Sequence, residues 1–476
     1  MNTRPQRRAA DYGGLAVCAG LFVCVYLIVS FKLHNDSPQY IAMHIHREPV
    51  YPLYLAFFRV IFGEGDRYLW AAGFVQCLLN ALGIWYFAER VTRVMWGTLP
   101  LKIAAYVLAL LPQPLTYVSS VTRFYMAGDI CSESIAYPLF LVCFVQLLLL
   151  LLSPVPEDGK KDFARCIRCA LLLLLASLVR GQMTILFIVF FAVLLVRALR
   201  GGLGGSAFLL KGILLPFLSM LLLMGARNLS VKTYFYALGN GFETYSIAAG
   251  NAFSDVLYVS DRTDGAFIPE TYPLPEGPRI TLREYFYRMY DKMDEMRMNR
   301  RYESGSFHER NLFLETCNDP LKYEVGERVV YESTRPLGFD YNEENLMQGR
   351  VFSALLRALL PHLFGAWLSV YLRHVFQGLV RSVGIAHPVL SYVFFALLLA
   401  VMLFTIARAL RGLSRKERIT DGTWMMLLVL LITAGNVFAV ALVQFCISRY
   451  MFYVFPLFYL ALLYLAREVR TKGNEA

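Results

Sequence analysis

Nine stretches of this chain run without a single ionisable side chain: 13 to 31, 68 to 88, 103 to 122, 134 to 153, 183 to 196, 212 to 226, 388 to 407, 422 to 447 and 450 to 466. Most are long enough to cross hydrocarbon, which takes roughly 20 helical residues, and 167 to 179 is a shorter candidate of the same kind. A soluble core cannot hide so many apolar runs in one chain, and the 57% hydrophobic and 17% charged residues agree. The sequence therefore predicts an all-α polytopic membrane protein.

Lys and Arg in short loops are retained on the cytoplasmic side, so their positions predict orientation. The clusters are Arg4, Arg7 and Arg8; Arg90, Arg93 and Lys102; Lys160, Lys161, Arg165 and Arg168; Arg197, Arg200 and Lys211; Arg408, Arg411, Arg415, Lys416 and Arg418; and Arg467, Arg470 and Lys472. All share one side only if 167 to 199 crosses twice with a tight turn at Arg180, Gly181 and Gln182. That gives about ten spans with both termini cytoplasmic in a plasma (inner) membrane. Two short spans would leave Arg180 at the floor of an external cavity. The net charge of +11 follows from basic loops beside anionic headgroups and calls for no nucleic acid. The run from Gly13 to Phe31 lacks a small-residue cleavage site and reads as a retained first helix. The nine Cys lie mostly inside apolar runs, and only Cys131 and Cys317 read as extracytoplasmic, so no disulfide framework is expected.

Four regions follow: a membrane module over 1–226, an extracytoplasmic soluble domain of mixed structure over 227–350, interfacial amphipathic helices over 351–386, and C-terminal membrane helices over 387–476. The domain is inserted before the last three spans. It has charges of both signs and several prolines; within it, 281 to 302 reads as a helix with Tyr285, Met289 and Met293 on one face. The segment 351 to 381 carries Arg357, His362, Arg373 and His374, too many ionisable groups for a span, and is read as lying in the interface with a break at Pro361.

Charges at the other helix ends remain: Asp36, His44, His46, Arg47, Glu48, Arg59, Arg123, Asp129, Glu133, Arg180, Arg227, Glu243 and Arg449. An arginine fork donates two parallel hydrogen bonds to phosphate and stays charged, so arginines at several helix ends beside lipid point to a polyprenyl phosphate. Asp36, followed by Ser37 and Pro38, fits a helix N-cap. Partial shielding near the interface would raise its pKa towards that of a general base. His44 and His46 are two apart and share no helix face, and no third metal ligand adjoins them.

Asp36-Ser37-Pro38-Gln39-Tyr40, then Arg47-Glu48-Pro49-Val50-Tyr51-Pro52-Leu53-Tyr54, resembles the first external loop of the polytopic C-type (GT-C) glycosyltransferases, which include the lipid A aminoarabinose transferase and the protein O-mannosyltransferases. Ser132-Glu133-Ser134, Leu178-Val179-Arg180-Gly181-Gln182, Arg227-Asn228, and Arg449-Tyr450 with Pro456 follow in the order of that superfamily. The resemblance implies transfer of a sugar from a polyprenyl-phosphate donor to a hydroxyl of a lipid, glycan or protein acceptor on the extracytoplasmic face. It implies that Asp36 is the inverting base and that Arg180, Arg227 and Arg449 stabilise the departing phosphate. Tyr40, Arg47 and Arg123 count as further substrate contacts. Asp129 and Glu133 would orient the acceptor or bind a divalent ion with Asp36. Many relatives have paired acids in this loop, whereas Asn35 precedes Asp36 here. A lipid-linked sugar flippase, or an enzyme like the O-antigen polymerases and ligases, is the alternative. A flippase would place polar groups and broken helices near the midplane, and these spans lack interior charges.

Overall fold

The apolar runs fold as helices, because in lipid a helix satisfies its own backbone. The computed structural model describes residues 4–118, 125–153, 159–201, 205–244, 247–271, 280–384, 388–443, 445–446 and 448–473. Among them there is no strand, only one isolated bridge between Leu33 and Ile130. Ten helical stretches are long and apolar enough to cross a membrane. The protein is an all-α, multi-pass membrane protein.

The first module comprises α1 (Arg4–Val29), α2 (Ser37–Ile41), α3 (Val50–Phe62), α4 (Asp66–Val94), α5 (Leu99–Leu110), α6 (Pro112–Val118), α7 (Glu133–Leu152), α8 (Gly159–Val179) and α9 (Ile185–Arg200). A short α10 (Gly205–Ala207) and a π turn lead into α11 (Leu215–Ala237). Side-chain contacts fix the directions. Tyr26 bonds the Trp70 carbonyl while Tyr12 stacks on Trp85, so α1 and α4 are antiparallel. Asn80 donates to the Ser134 carbonyl and Gln146 to Tyr86, so α4 and α7 run the same way.

One end of the bundle collects basic residues and their partners. Lys102 pairs with Glu89, Arg197 with Asp162 and Arg408 with Glu468, while Arg200 donates to the Leu151 carbonyl and Arg467 to that of Trp96. Arg180 lies at the opposite end, against Glu133. Segments α8 and α9 therefore form the pair of helices expected over 167 to 199, with the turn at Arg180, and of the two the stretch Gly181–Arg200 is long and apolar enough to cross a membrane. Helix α8 begins earlier than the apolar run suggests, because its first turns carry Lys160, Lys161, Arg165 and Arg168 on the basic end.

Between α11 and the last helices lie α12 (Ile247–Val259), α13 (Leu282–Glu295), α14 (Phe307–Pro320) and α15 (Arg328–Thr334), with 3-10 turns and a π turn at Leu321–Glu327. The expected mixed structure is not found: the described residues here are helices and turns. Thr281 caps α13 by accepting from the Glu284 amide, and Tyr285, Met289 and Met293 are fully buried. They join Phe253, Leu257, Val325, Val330 and Phe352 in a core separate from that of the bundle.

Helix α16 (Tyr341–Ser382) is continuous through Pro361, so the expected break is absent. Its length and composition would let it cross, yet both ends meet the Arg180 end of the bundle. The Tyr341 ring packs on His44, while Arg381 donates to the Cys446 carbonyl and Ser382 to Met451. Pro361, near its midpoint, has no N–H to donate to the helix ladder. Then α17 (Pro388–Ser414), α18 (Asp421–Val443), the short α19 (Ser448–Met451) and α20 (Phe455–Gly473) complete the bundle. All nine cysteines are free.

Candidate active site

The centre is built where α2, the start of α7, the α8–α9 turn and α19 meet. Asp36 occupies the N-cap position of α2 with Pro38 in the first turn, but its side chain makes no cap bond. Arg47 donates to one of its oxygens at 2.7 Å and Arg449 to the other at 3.1 Å. Arg449 turns its Nε to Glu133, which is fully buried, and Arg180 reaches the second Glu133 oxygen at 2.8 Å. Three arginines thus enclose two carboxylates, leaving one unmatched positive charge. The four charged side chains around Glu133 keep only 12 to 28% exposure, and a low-dielectric setting strengthens every charge here.

Neutral groups fix the guanidiniums. The Ser132 hydroxyl accepts from Arg180 at 2.9 Å and shares a hydrogen bond with Tyr40 at 2.9 Å. Gln39 accepts from Arg47 and bonds His46, and the Arg47 guanidinium lies over the Tyr40 ring. Arg180 faces the Tyr450 ring at 5.3 Å. Gln182 donates to Asn436 and to the Tyr450 carbonyl, tying the α8–α9 turn to α18 and α19. Gln39, Ser132, Gln182 and Tyr450 lay inside the motifs read from the sequence but were given no role there, and Asn436 was missed, because neutral polar residues stand out only once charged neighbours are placed beside them.

Six sequence-predicted residues come together: Asp36, Tyr40, Arg47, Glu133, Arg180 and Arg449. Arg227 is adjacent, paired with Glu48 at 3.0 Å over Gly181. Asp129 is elsewhere. It is fully buried, accepting from the Lys32 and Tyr125 amides and bonding His34 at 2.8 Å. Together with the Leu33–Ile130 bridge and the bond from Ser37 to the Ile130 carbonyl, it pins the Asp36 loop to the segment before α7. Arg123 lies outside the described residues. Asp129 is turned away, and the Asp36 and Glu133 oxygens are taken by arginines, so the expected divalent-ion arrangement does not fit. Among the described residues no group of three or more His, Cys, Asp or Glu is placed to hold a metal ion.

The raised pKa expected of Asp36 is not found. Burial alone would raise it, but the charges of Arg47 and Arg449 outweigh burial and hold the carboxyl below its ordinary value. Burial and the adjacent Arg47 push His46 down to about 3, so it is a neutral hydrogen-bonding partner. Helix α3 leaves the same loop with Phe57, Val60 and Ile61 exposed, an apolar face suited to the membrane surface. Chemically, the centre offers fixed guanidinium donors around an ionised carboxylate at the end of an apolar bundle. No protein-family model, curated protein or solved structure matches the chain.

Proposed function

We propose that the chain is a glycosyltransferase of the C type, moving a sugar from a polyprenyl-phosphate donor to an acceptor hydroxyl. The observation that carries this reading is the convergence of Arg47, Arg180 and Arg449 on Asp36 and Glu133, with one positive charge in excess. Such a site attracts an anion, and the forked donors suit phosphate. The exposed apolar face of α3 supports a donor whose tail stays in lipid. The basic opposite end supports an active face on the extracytoplasmic side, under the retention rule for Lys and Arg.

The donor phosphate competes for Arg449 and Arg47, drawing them off Asp36. That restores the basicity of the carboxylate when the acceptor hydroxyl is present. Asp36 takes the hydroxyl proton as the oxygen attacks the anomeric carbon opposite the phosphate. The new C–O bond forms as the sugar–phosphate bond breaks, inverting the centre, and the electron pair leaves with the polyprenyl phosphate. General base help of this kind is worth about 10²- to 10⁴-fold. Guanidiniums fixed around the growing phosphate charge supply the larger electrostatic share.

The test is transfer of labelled sugar from synthetic polyprenyl-phosphate sugars to membrane and cell-wall extracts by purified protein, beside Asp36→Asn. Donor-dependent transfer that the variant loses is the expected result. Full activity in Asp36→Asn would remove the assigned base, and donor binding without any transfer would favour a flippase.

A further inference from the structure

Helix α19, which carries Arg449, is four residues long, too short to hold itself in place. Its position comes from what grips the chain on either side of the arginine. After Arg449, the Tyr450 carbonyl accepts from Gln182 at 2.8 Å and from Asn436 at 3.1 Å. Before it, Phe445 and Cys446 form a buried, non-helical link that follows α18. Phe445 packs into the second core, built mainly by α12–α16, and not into the core of the bundle. Its ring meets the His374 ring edge to face at 4.9 Å and lies 5.2 Å from the Arg381 guanidinium. Helix α16 comes so close to this link that a Cβ on Gly378 would stand 2.9 Å from Cys446 Sγ.

Arg381 joins the link to α14. Its Nη1 and Nη2 donate to the two Glu315 oxygens at 3.0 and 2.8 Å, a parallel fork that fixes the guanidinium in one orientation. The same Nη1 donates to the Cys446 carbonyl at 3.2 Å. Glu315 stands on α14, whose Leu314 and Cys317 are buried in the second core, so the anchor is itself held. Cys446 is three residues before Arg449, and a guanidinium fixed by Glu315 therefore steadies the peptide from which Arg449 reaches Asp36 and Glu133. A lysine at 381 could reach the carboxylate or the carbonyl, but it lacks the planar fork that serves both in one orientation. We propose that Arg381, oriented by Glu315, is a positioning residue for Arg449, and that α14 thereby sets how Arg449 meets an anion at the donor site. The proposal rests on the glycosyltransferase reading only for the identity of that anion.

The test uses the full-length protein in nanodiscs, with Arg381→Lys, Glu315→Gln and Glu315→Asp, each shown to elute and melt as folded protein. Binding of short-chain polyprenyl phosphate is measured in the wild-type and the Arg449→Lys backgrounds. Arg381→Lys should weaken binding about tenfold where Arg449 is present. Where Arg449→Lys has already removed the fork, the loss should be less than about twofold, because two changes that act through one group do not add. Glu315→Gln should follow with a smaller loss, and Glu315→Asp, which keeps the charge, should lie nearest the wild type. Equal losses in both backgrounds would make Arg381 a structural tie alone and overturn the proposal. A second readout needs no ligand: 3-fluorotyrosine placed at Tyr450, whose ring faces Arg180 at 5.3 Å, gives a fluorine NMR line that Arg381→Lys should shift or broaden. A line that stays in place in this variant overturns the proposal as well. Failure of polyprenyl phosphate to bind the wild type would sink the donor reading instead, and the fluorine line would still decide whether Arg381 places the turn that carries Arg449.

Discussion

Glu133→Gln keeps the shape of the side chain and removes the charge that two guanidiniums share. The carboxylate is fully buried, with Arg449 on one oxygen and Arg180 at 2.8 Å on the other. A glutamine offers one acceptor, and its NH₂ meets the second guanidinium donor to donor. Breaking a buried pair from one side costs about 3–5 kcal/mol, a large part of the roughly 5–15 kcal/mol that holds a typical protein folded. The ligand-free variant should therefore unfold at a clearly lower temperature in detergent. The same change leaves the pocket with more unmatched positive charge, so an anionic ligand takes the place of the missing carboxylate. Saturation at 100 times Kd stabilises by about 2.7 kcal/mol, and the variant, binding more tightly, should recover more melting temperature from short-chain polyprenyl phosphate than the wild type gains. Tryptophan fluorescence melts with and without that lipid read both effects, and Glu133→Asp, which keeps the charge, should lie between. A Glu133→Gln protein that melts within about one degree of wild type and shows the same ligand shift would refute the argument that Glu133 holds the arginines in place.

Arg449→Lys replaces a fork with a single ammonium that cannot span Asp36 and Glu133 together, so transfer should fall about 10²- to 10³-fold, measured as kcat/KM for the donor. Equal kinetics would show that the fork geometry is not used. Gly181→Ala would drive a methyl into Glu48 and within 3.0 Å of Arg227, displacing that pair; several-fold weaker donor binding with an unchanged melting temperature is expected, because Glu48 can swing aside. His46 titrates at about 3 in the fold against an ordinary 6.5. The unfolded chain therefore binds this proton first, and the stability His46 contributes is intact above pH 6.5 and lost as pH falls towards 3. His46→Gln should flatten the drop in melting temperature between pH 7.5 and pH 5, and an identical slope would contradict the burial of a neutral imidazole.

Asp36, Arg180 and Arg449 were legible in the sequence because each is a charge at the edge of an apolar run, where helix ends are the natural place for it. Asp129 had the same sequence signature, but a carboxylate spent on backbone amides looks identical in a sequence to one facing substrate; only its bonds to Lys32, Tyr125 and His34 separate the two. The α8–α9 pair followed from charge parity, while the start of α8 did not, since its basic first turn hides the helix from a search for apolar residues. Charges of both signs, prolines and aromatics suggested a mixed soluble domain before α16, yet Pro320 sits at the end of α14, where a helix tolerates it, and α16 itself runs through Pro361. The course of α16 depends on contacts at both of its ends, which no local pattern encodes.

Asp36 and Arg449 stand 413 positions apart in the chain. At synthesis rates of about 5–20 residues per second, roughly 20–80 s pass between the emergence of the carboxylate and of its second arginine. Glu133, 316 positions before Arg449, lacks one of the two cations that let it be buried for roughly 16–63 s of that time, so the mouth of α7 stays wetted in the nascent chain. The centre closes only when the last hairpin inserts, and a chain stalled or clipped before that point carries an open, hydrated pocket. A quality-control protease could read that pocket as the mark of an unfinished protein.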